Sequence, residues 1–141
     1  MSHENVEIAR IFTRAFNAGD VEALAACCDP NVEFHSTFAA IGGAVYHGRD
    51  AARKWYGDIA GEWGEEIRSE IESLFDLGED VLVYSVVHAR GPHSGVEVDL
   101  PAAMVMKMRG ARILYFKGYA HREDALADLG VSEDALQPIA P

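Results

Sequence analysis

Cysteine is scarce in this chain, which has two among its 141 residues, and the two are adjacent at Cys27 and Cys28. Adjacent cysteines give neither a disulfide framework nor the spaced ligand pairs of a zinc site. We interpret both as small apolar residues in or beside the core, on a predicted second helix. A redox-active or nucleophilic thiol is the alternative, and no sequence signature supports it.

Basic residues are also few, because 12 lysines and arginines stand against 23 acidic residues and give a formal net charge of −11. This charge would repel phosphate backbones, so nucleic acid is not an expected partner. No apolar run approaches the roughly 18 residues that span a bilayer, and the first residues lack the parts of a secretion signal. We expect a cytoplasmic protein that does not bind membranes.

The first part of the chain shows helical spacing of its apolar residues. A stripe from Ile8 to Phe16 predicts one amphipathic helix, which Gly19 ends. Asp20 then caps a second helix, and this helix must stop at Asp29-Pro30, because proline lacks an amide donor and restricts the residue before it. The alternation in 32–34 predicts the first strand.

A second strand and a third helix follow, and after the helix the apolar residues recur at every second position, as in strands. The third helix carries Trp55, Tyr56 and Trp63, and its glycines predict that its last turns unwind. Four strands joined by short turns predict an antiparallel meander, and Pro101 predicts a bulge or an unpaired edge. These strands are 67–75, 81–90, 96–108 and 113–120. A short helix, 123–129, precedes a loose tail, 132–141.

The order of these segments defines one α+β domain, 1–141, whose core covers about 5–131. The ordered set of N-A-G-D, D-P-N-V-E-F, Y-H-G-R and R-G-A-R-I-L resembles the nuclear transport factor 2-like superfamily. The closing H-R-E-D-A-L-A-D-L-G is similar to its SnoaL-like branch. The resemblance implies a cone-shaped barrel in which a curved, mixed, mainly antiparallel sheet wraps around the N-terminal helices.

The same resemblance implies an apolar cavity at the open end of the cone and, commonly, a homodimer through the outer face of the sheet. An outward row that includes Ala103 and Val105 is compatible with such a dimer. Members of the superfamily include ketosteroid isomerases, polyketide cyclases and proteins that only bind or associate. The fold alone therefore does not settle the function.

The acids and bases of the known enzymes are absent from the corresponding positions. The positions that carry the catalytic groups in the ketosteroid isomerases are occupied here by Phe12, Ser36 and either Ala103 or Met104. We therefore reject steroid isomerisation. The acid-base aspartate of the SnoaL-type cyclases corresponds to Gly118. The catalytic groups of either enzyme class are thus missing at these positions.

Histidines and aromatic residues remain as candidates for the lining of the cavity. His35 is the candidate base, since histidine titrates near neutral pH, and a structural histidine is the alternative. The other candidate catalytic residues are Tyr56, His88 and His121. The candidate pocket residues are Phe12, Phe16, Phe34, Ser36, Trp63, Tyr84, Met104, Met106, Phe116 and Tyr119.

Two functions follow as hypotheses. One is proton-transfer chemistry, such as isomerisation, cyclisation or dehydration, on a small apolar molecule bound in the cavity. The other is a non-catalytic, dimeric ligand-binding or interaction protein. No cofactor is expected, and no metal site, because the histidines are not spaced as local ligand pairs.

Overall fold

The computed structural model of the chain describes residues 2–36, 44–91 and 94–139. The helices in these ranges are α1 (Ser2–Ala18), α2 (Val21–Ala26), α3 (Ala51–Trp63) and α4 (Arg122–Leu129), and each is too short or too polar to span a bilayer. The strands are β1 (Cys28–Ser36), β2 (Ala44–His47), β3 (Arg68–Asp76), β4 (Asp80–Arg90), β5 (Glu97–Arg109) and β6 (Arg112–Tyr119).

The strands form one curved sheet in the order β2-β1-β6-β5-β4-β3, and this sheet does not close into a complete barrel. β3 to β6 are an antiparallel meander, whereas β1 pairs in parallel with β6. The predicted α+β fold with a mixed, mainly antiparallel sheet is confirmed. Pro101 pairs with Val86 but lies beyond the last β5–β6 pair, Ala103 with Tyr119, so its missing N–H falls at an unpaired edge.

The concave face of the sheet packs against α1 and α3. Phe12 from α1 and Trp55 from α3 meet Phe34 and Phe116 from the neighbouring strands β1 and β6, and all four side chains are buried. Their ring centroids are 4.9 to 6.1 Å apart, the separation that favours offset or edge contacts between aromatic rings. This aromatic cluster holds the N-terminal helices against the sheet.

The outer face of the sheet is covered in part by the C-terminal helix. Ala103 and Val105, which were expected to face a dimer partner, are fully buried in a second cluster that includes Ala125 of α4. Tyr119 on this face donates a hydrogen bond to Asp128 of the same helix. The homodimer therefore stays a prediction, and a dimer would need a part of the face that α4 leaves open.

Three local expectations are wrong. Cys28 is not helical but begins β1; both thiols are free and buried, and burial raises the pKa of Cys28 to about 12. α3 continues to Trp63 and ends at Gly64, whose φ of +89° is accessible to glycine. The tail is not loose in its described part, because the Ile139 N–H donates to the Leu74 carbonyl at 2.8 Å.

Candidate functional site

An apolar cavity lies between α1, α3 and the concave face of the sheet. Its volume is about 40 Å³, roughly three times the minimum that holds one water molecule. Aromatic rings form much of its wall, and none of its lining side chains is acidic, basic or a histidine. The lining residues are Phe12, Thr13, Phe16, Trp55, Ile59, Ile67, Ser69, Ser85, Val87, Ala102, Met104 and Phe116.

Helix and strand periodicity direct these side chains to the same space. Phe12 and Phe16 are four residues apart on α1, so both lie on one side of that helix. On the strands, side chains two residues apart share a face, which brings Ser85 and Val87 of β4 to the concave side. The cavity is thus built from regular elements that hold its walls in place.

Three of the lining residues carry a polar atom that is buried and has no hydrogen-bond partner among the described residues. These atoms are Trp55 Nε1, Ser69 Oγ and Ser85 Oγ. The fourth polar side chain of the wall differs, because Thr13 Oγ1 donates to the Ala9 carbonyl at 3.0 Å. An unsatisfied buried polar group costs about 1–3 kcal/mol, so the three atoms mark a place where a hydrogen-bonding ligand would be stabilised.

Sequence reasoning missed both serines and assigned Trp55 to packing. A signal for the serines is present, because Ser85 interrupts an inward row of valines at 81, 83 and 87 in which every second residue is apolar. Ser69 likewise stands between the inward residues Ile67 and Ile71. A polar residue at a core position of a strand is the pattern that could have identified them.

Several predicted pocket residues do lie at or near the cavity. Phe12, Phe16, Met104 and Phe116 line it, whereas Phe34 and Met106 are buried in the surrounding core without being part of the wall. The side chain of Ser36 lies outside the described part of the chain. That any of these residues contacts a ligand stays a prediction.

His35 does not face the cavity, and its expected approach to the other candidates is wrong. Val32 and Phe34 of β1 are buried on the concave side, so the alternation of the strand turns His35 to the outer face. There its Nε2 lies 2.7 Å from Glu33 Oε1, and its ring lies 5.1 Å from that of Tyr115. This position removes the candidate base from the cavity.

His88 and Tyr84 share a face of β4, as expected, but this is the outer face. His88 lies between two carboxylates, with Nδ1 2.6 Å from Asp99 and Nε2 3.0 Å from Glu70. Its hydrogen bonds to Asp99 and then Glu70 raise the pKa of His88 above the ordinary value. Tyr84 is covered by the guanidinium of Arg122, 4.5 Å above its ring. Their placement in the cavity is therefore wrong.

The expected placement of Tyr119 in the cavity is also wrong, because its side chain packs beneath α4 on the outer face. Burial, and then the hydrogen bond to Asp128, raise the pKa of Tyr119. His121 is the exposed residue that precedes α4. Neither residue is near the concave side.

Two candidates on α3 are close to the core without joining the cavity wall. Tyr56 is buried, lies edge-on to Phe16 at 5.5 Å, and directs its hydroxyl towards Gly19. Trp63 borders a separate groove between the end of α3 and the β4–β5 hairpin. In the described part of the chain, no group of three or more His, Cys, Asp or Glu side chains is placed to hold a metal ion.

Comparison with known protein families matches residues 8–116 to the SnoaL-like domain. This chain belongs to that family. The match begins within α1 and extends over α2, α3 and the sheet as far as Phe116, and it confirms the resemblance inferred from the ordered segments. Among curated proteins, none matches this chain.

Solved structures give the same fold at low sequence identity. A protein with a ketosteroid isomerase-like fold from Catenulispora acidiphila, in complex with trimethylamine, is 19% identical over 96% of this chain and 98% of its own, with a TM-score of 0.73. TerC co-crystallised with polyporic acid is 17% identical over 89% and 97%, with a TM-score of 0.74. Bal32a, from a soil-derived mobile gene cassette, is 21% identical over 84% and 89%, with a TM-score of 0.74.

Proposed function

We propose that this SnoaL-like chain binds a small apolar molecule in the cavity, and that the molecule carries a hydrogen-bond acceptor. The observation that carries this proposal is that three residues of an otherwise apolar lining, Trp55, Ser69 and Ser85, each have a buried polar atom without a partner among the described residues. An indole N–H can only donate, whereas a hydroxyl can donate or accept. A carbonyl or ether oxygen of the ligand could accept a hydrogen bond from any of these three groups.

Two structural neighbours support ligand binding as a use of this fold, since one is in complex with trimethylamine and the other is co-crystallised with polyporic acid. The volume of about 40 Å³ restricts what this chain would enclose. An apolar cavity of about 150 Å³ accepts benzene. The enclosed part of the ligand is accordingly smaller than an aromatic ring, such as a branched group of a few carbon atoms.

Binding is favoured over proton-transfer catalysis by the nature of the lining. General acid-base catalysis needs a titratable group within hydrogen-bond reach of the reacting proton. None of the cavity-lining residues in the described ranges has a titratable carboxyl, imidazole, amino or phenol group. The candidate histidines lie on the outer face or at the surface.

The test uses 3-methylbutan-2-one, a neutral ketone with a branched apolar end. The chain has two tryptophans, so a ¹H–¹⁵N spectrum gives one indole signal in the cavity and one outside it. On titration with the ketone, the Trp55 indole signal should shift, while that of Trp63 serves as an internal reference. Unshifted Trp55 at millimolar ketone would refute the proposal.

Two controls separate cavity binding from surface binding and from catalysis. Ala102→Leu fills the cavity and should abolish the Trp55 shift, whereas the exposed Val45→Leu adds one methylene outside the cavity and should leave the shift intact. In D₂O, the protons beside the ketone carbonyl should exchange no faster than in buffer alone. Accelerated exchange that Ala102→Leu removes would favour the proton-transfer hypothesis instead.

A further inference from the structure

A second concavity, the α1–β3 groove, runs between α1 and the edge strand β3. It is lined by Arg10, Thr13, Arg14, Asn17, Arg68, Ser69, Glu70, Ile71 and His88. Thr13 and Ser69 also line the apolar cavity. The groove therefore lies directly beside the cavity, and these two residues form the boundary between them.

The groove collects positive charge in a chain whose net charge is −11. Arg10 and Arg14 both approach the carboxylate of Glu7, at 3.3 and 3.6 Å. Arg68 has no ion-pair partner among the described residues, and its Nη1 donates to the carbonyls of Glu65 and Ile67. Such a charge attracts anions from solution.

The acidic residue of the groove offsets part of this charge but does not pair with Arg68. Glu70 accepts a hydrogen bond from His88 Nε2 at 3.0 Å, and His88 in turn bonds to Asp99 through Nδ1. These two carboxylates thus share the imidazole on the outer side of β3 and β4. The guanidinium of Arg68 keeps donors that no side chain of the described residues occupies.

The boundary residue Ser69 has the chemistry to contact a ligand in both spaces. Its side chain is buried, with 9% of the residue exposed, and its Oγ has no partner among the described residues. Its backbone is held on the other side, because Asn17 both donates to the Ser69 carbonyl at 2.9 Å and accepts from the Ser69 N–H at 2.8 Å. The backbone of Ser69 is thus fixed where the cavity and the groove adjoin, at the edge strand that also carries Arg68.

We infer that the ligand is a small amphipathic anion, a short branched carboxylate whose apolar end enters the cavity while its carboxylate lies in the α1–β3 groove near Ser69 and Arg68. This inference rests on the proposed function and specifies its ligand class. A cavity of about 40 Å³ holds the apolar end but not a charged head group, which needs charged or solvated surroundings. A guanidinium provides two parallel N–H donors that match a carboxylate.

The probes are 3-methylbutanoate and 3-methylbutanamide, which have nearly the same shape and differ in charge. Dissociation constants come from titrations followed through the indole signal of Trp55. The carboxylate should bind about fivefold more tightly than the amide at low salt, and added salt should reduce this preference, because it screens exposed charges.

Arg68→Gln tests the residue directly, and Arg112→Gln is the matched control. Arg112 is exposed and begins the central strand β6, and it does not line the groove. Its replacement therefore makes the same change in net charge away from the groove. Arg68→Gln should remove most of the preference for the carboxylate, because it weakens binding of the carboxylate more than binding of the amide. Arg68→Lys, which keeps the charge, should restore part of the preference.

The outcomes distinguish this inference from the proposed function. Equal affinities for the carboxylate and the amide, or equal effects of Arg68→Gln and Arg112→Gln, overturn the inference and leave cavity binding in place. If neither probe nor the ketone shifts the Trp55 signal, both fail. Tight binding of the carboxylate that survives Ala102→Leu would place it outside the cavity and also overturn the inference.

Discussion

Removal of the Ser85 hydroxyl should stabilise the protein, although it deletes a polar atom from the interior. Ser85 is fully buried, and its Oγ has no partner among the described residues. Its backbone carbonyl accepts from Arg122 Nη2 at 3.1 Å, and a Ser85→Ala substitution leaves this bond intact. The substitution therefore removes only the hydroxyl, which is buried away from water without a hydrogen bond in return.

The magnitude follows from the cost of burying such a group, about 1–3 kcal/mol. Alanine fills slightly less space than serine, which offsets part of the gain, so we expect Ser85→Ala to raise the free energy of unfolding by about 1 kcal/mol. For a chain of this length the corresponding rise in melting temperature is about 3 °C. Ser85→Val should add to this by occupying part of the cavity.

Urea denaturation followed by circular dichroism measures the change directly. Ser132→Ala is the control, because Ser132 is exposed and its side chain caps no helix, so we expect a change within about 0.5 kcal/mol. A loss of more than about 1 kcal/mol in Ser85→Ala would show that the hydroxyl is satisfied in the folded protein. The argument that unpartnered atoms mark a ligand site would then be wrong at this residue.

Three further predictions concern the framework around the cavity. Asn17→Ala should lower the free energy of unfolding by about 2 kcal/mol in urea denaturation, because it removes two hydrogen bonds to the edge strand. The pKa of His88 is raised by Asp99 and then by Glu70, so its contribution to stability should be complete below its unfolded pKa of about 6.5 and should be lost as pH rises through the higher folded pKa. Deletion of 121–141 should expose the apolar outer face and cause self-association, measured by light scattering.

Controls for these predictions are available in the same chain. Asn31→Ala changes an exposed asparagine and should have little effect on unfolding, and an equal loss in both variants would contradict the role of Asn17. His88→Gln should flatten the dependence of stability on pH above about 6.5. If the truncated chain keeps the mass of the full chain in solution, α4 is not what keeps the outer face from associating.

Periodicity predicts most of the fold. The helical stripe ending at Phe16, the Gly19 turn and the alternating strands all act through neighbours in the sequence, and each is present in the structure. The exact start of β1 was missed, since Cys28 pairs with Ile113 of β6 and the register then shifts before Glu33. Pairing between segments this far apart has no local signature.

The candidate site was predicted less well because residue type was given more weight than strand parity. Phe34 and His35 are adjacent on β1, so they cannot both face the cavity, and the larger apolar residue takes the buried side. On β4, the same rule places Tyr84 and Ser85 on opposite faces. His35 and Tyr84 were predicted because their side chains can transfer protons, whereas the residue that lines the cavity is Ser85.

Ser69 connects the stability of the edge strand with the proposed binding site. An edge strand exposes unpaired N–H and C=O groups, and Asn17 satisfies both of these groups at Ser69, which leaves the hydroxyl as the unpartnered part of the residue. We therefore expect Ser69→Ala to weaken binding of 3-methylbutanoate by about fivefold without lowering stability, whereas Asn17→Ala should lower both. If Ser69→Ala binds the carboxylate as well as the unmodified chain does, the hydroxyl is not a ligand contact, and Arg68 alone would have to account for any preference for the anion.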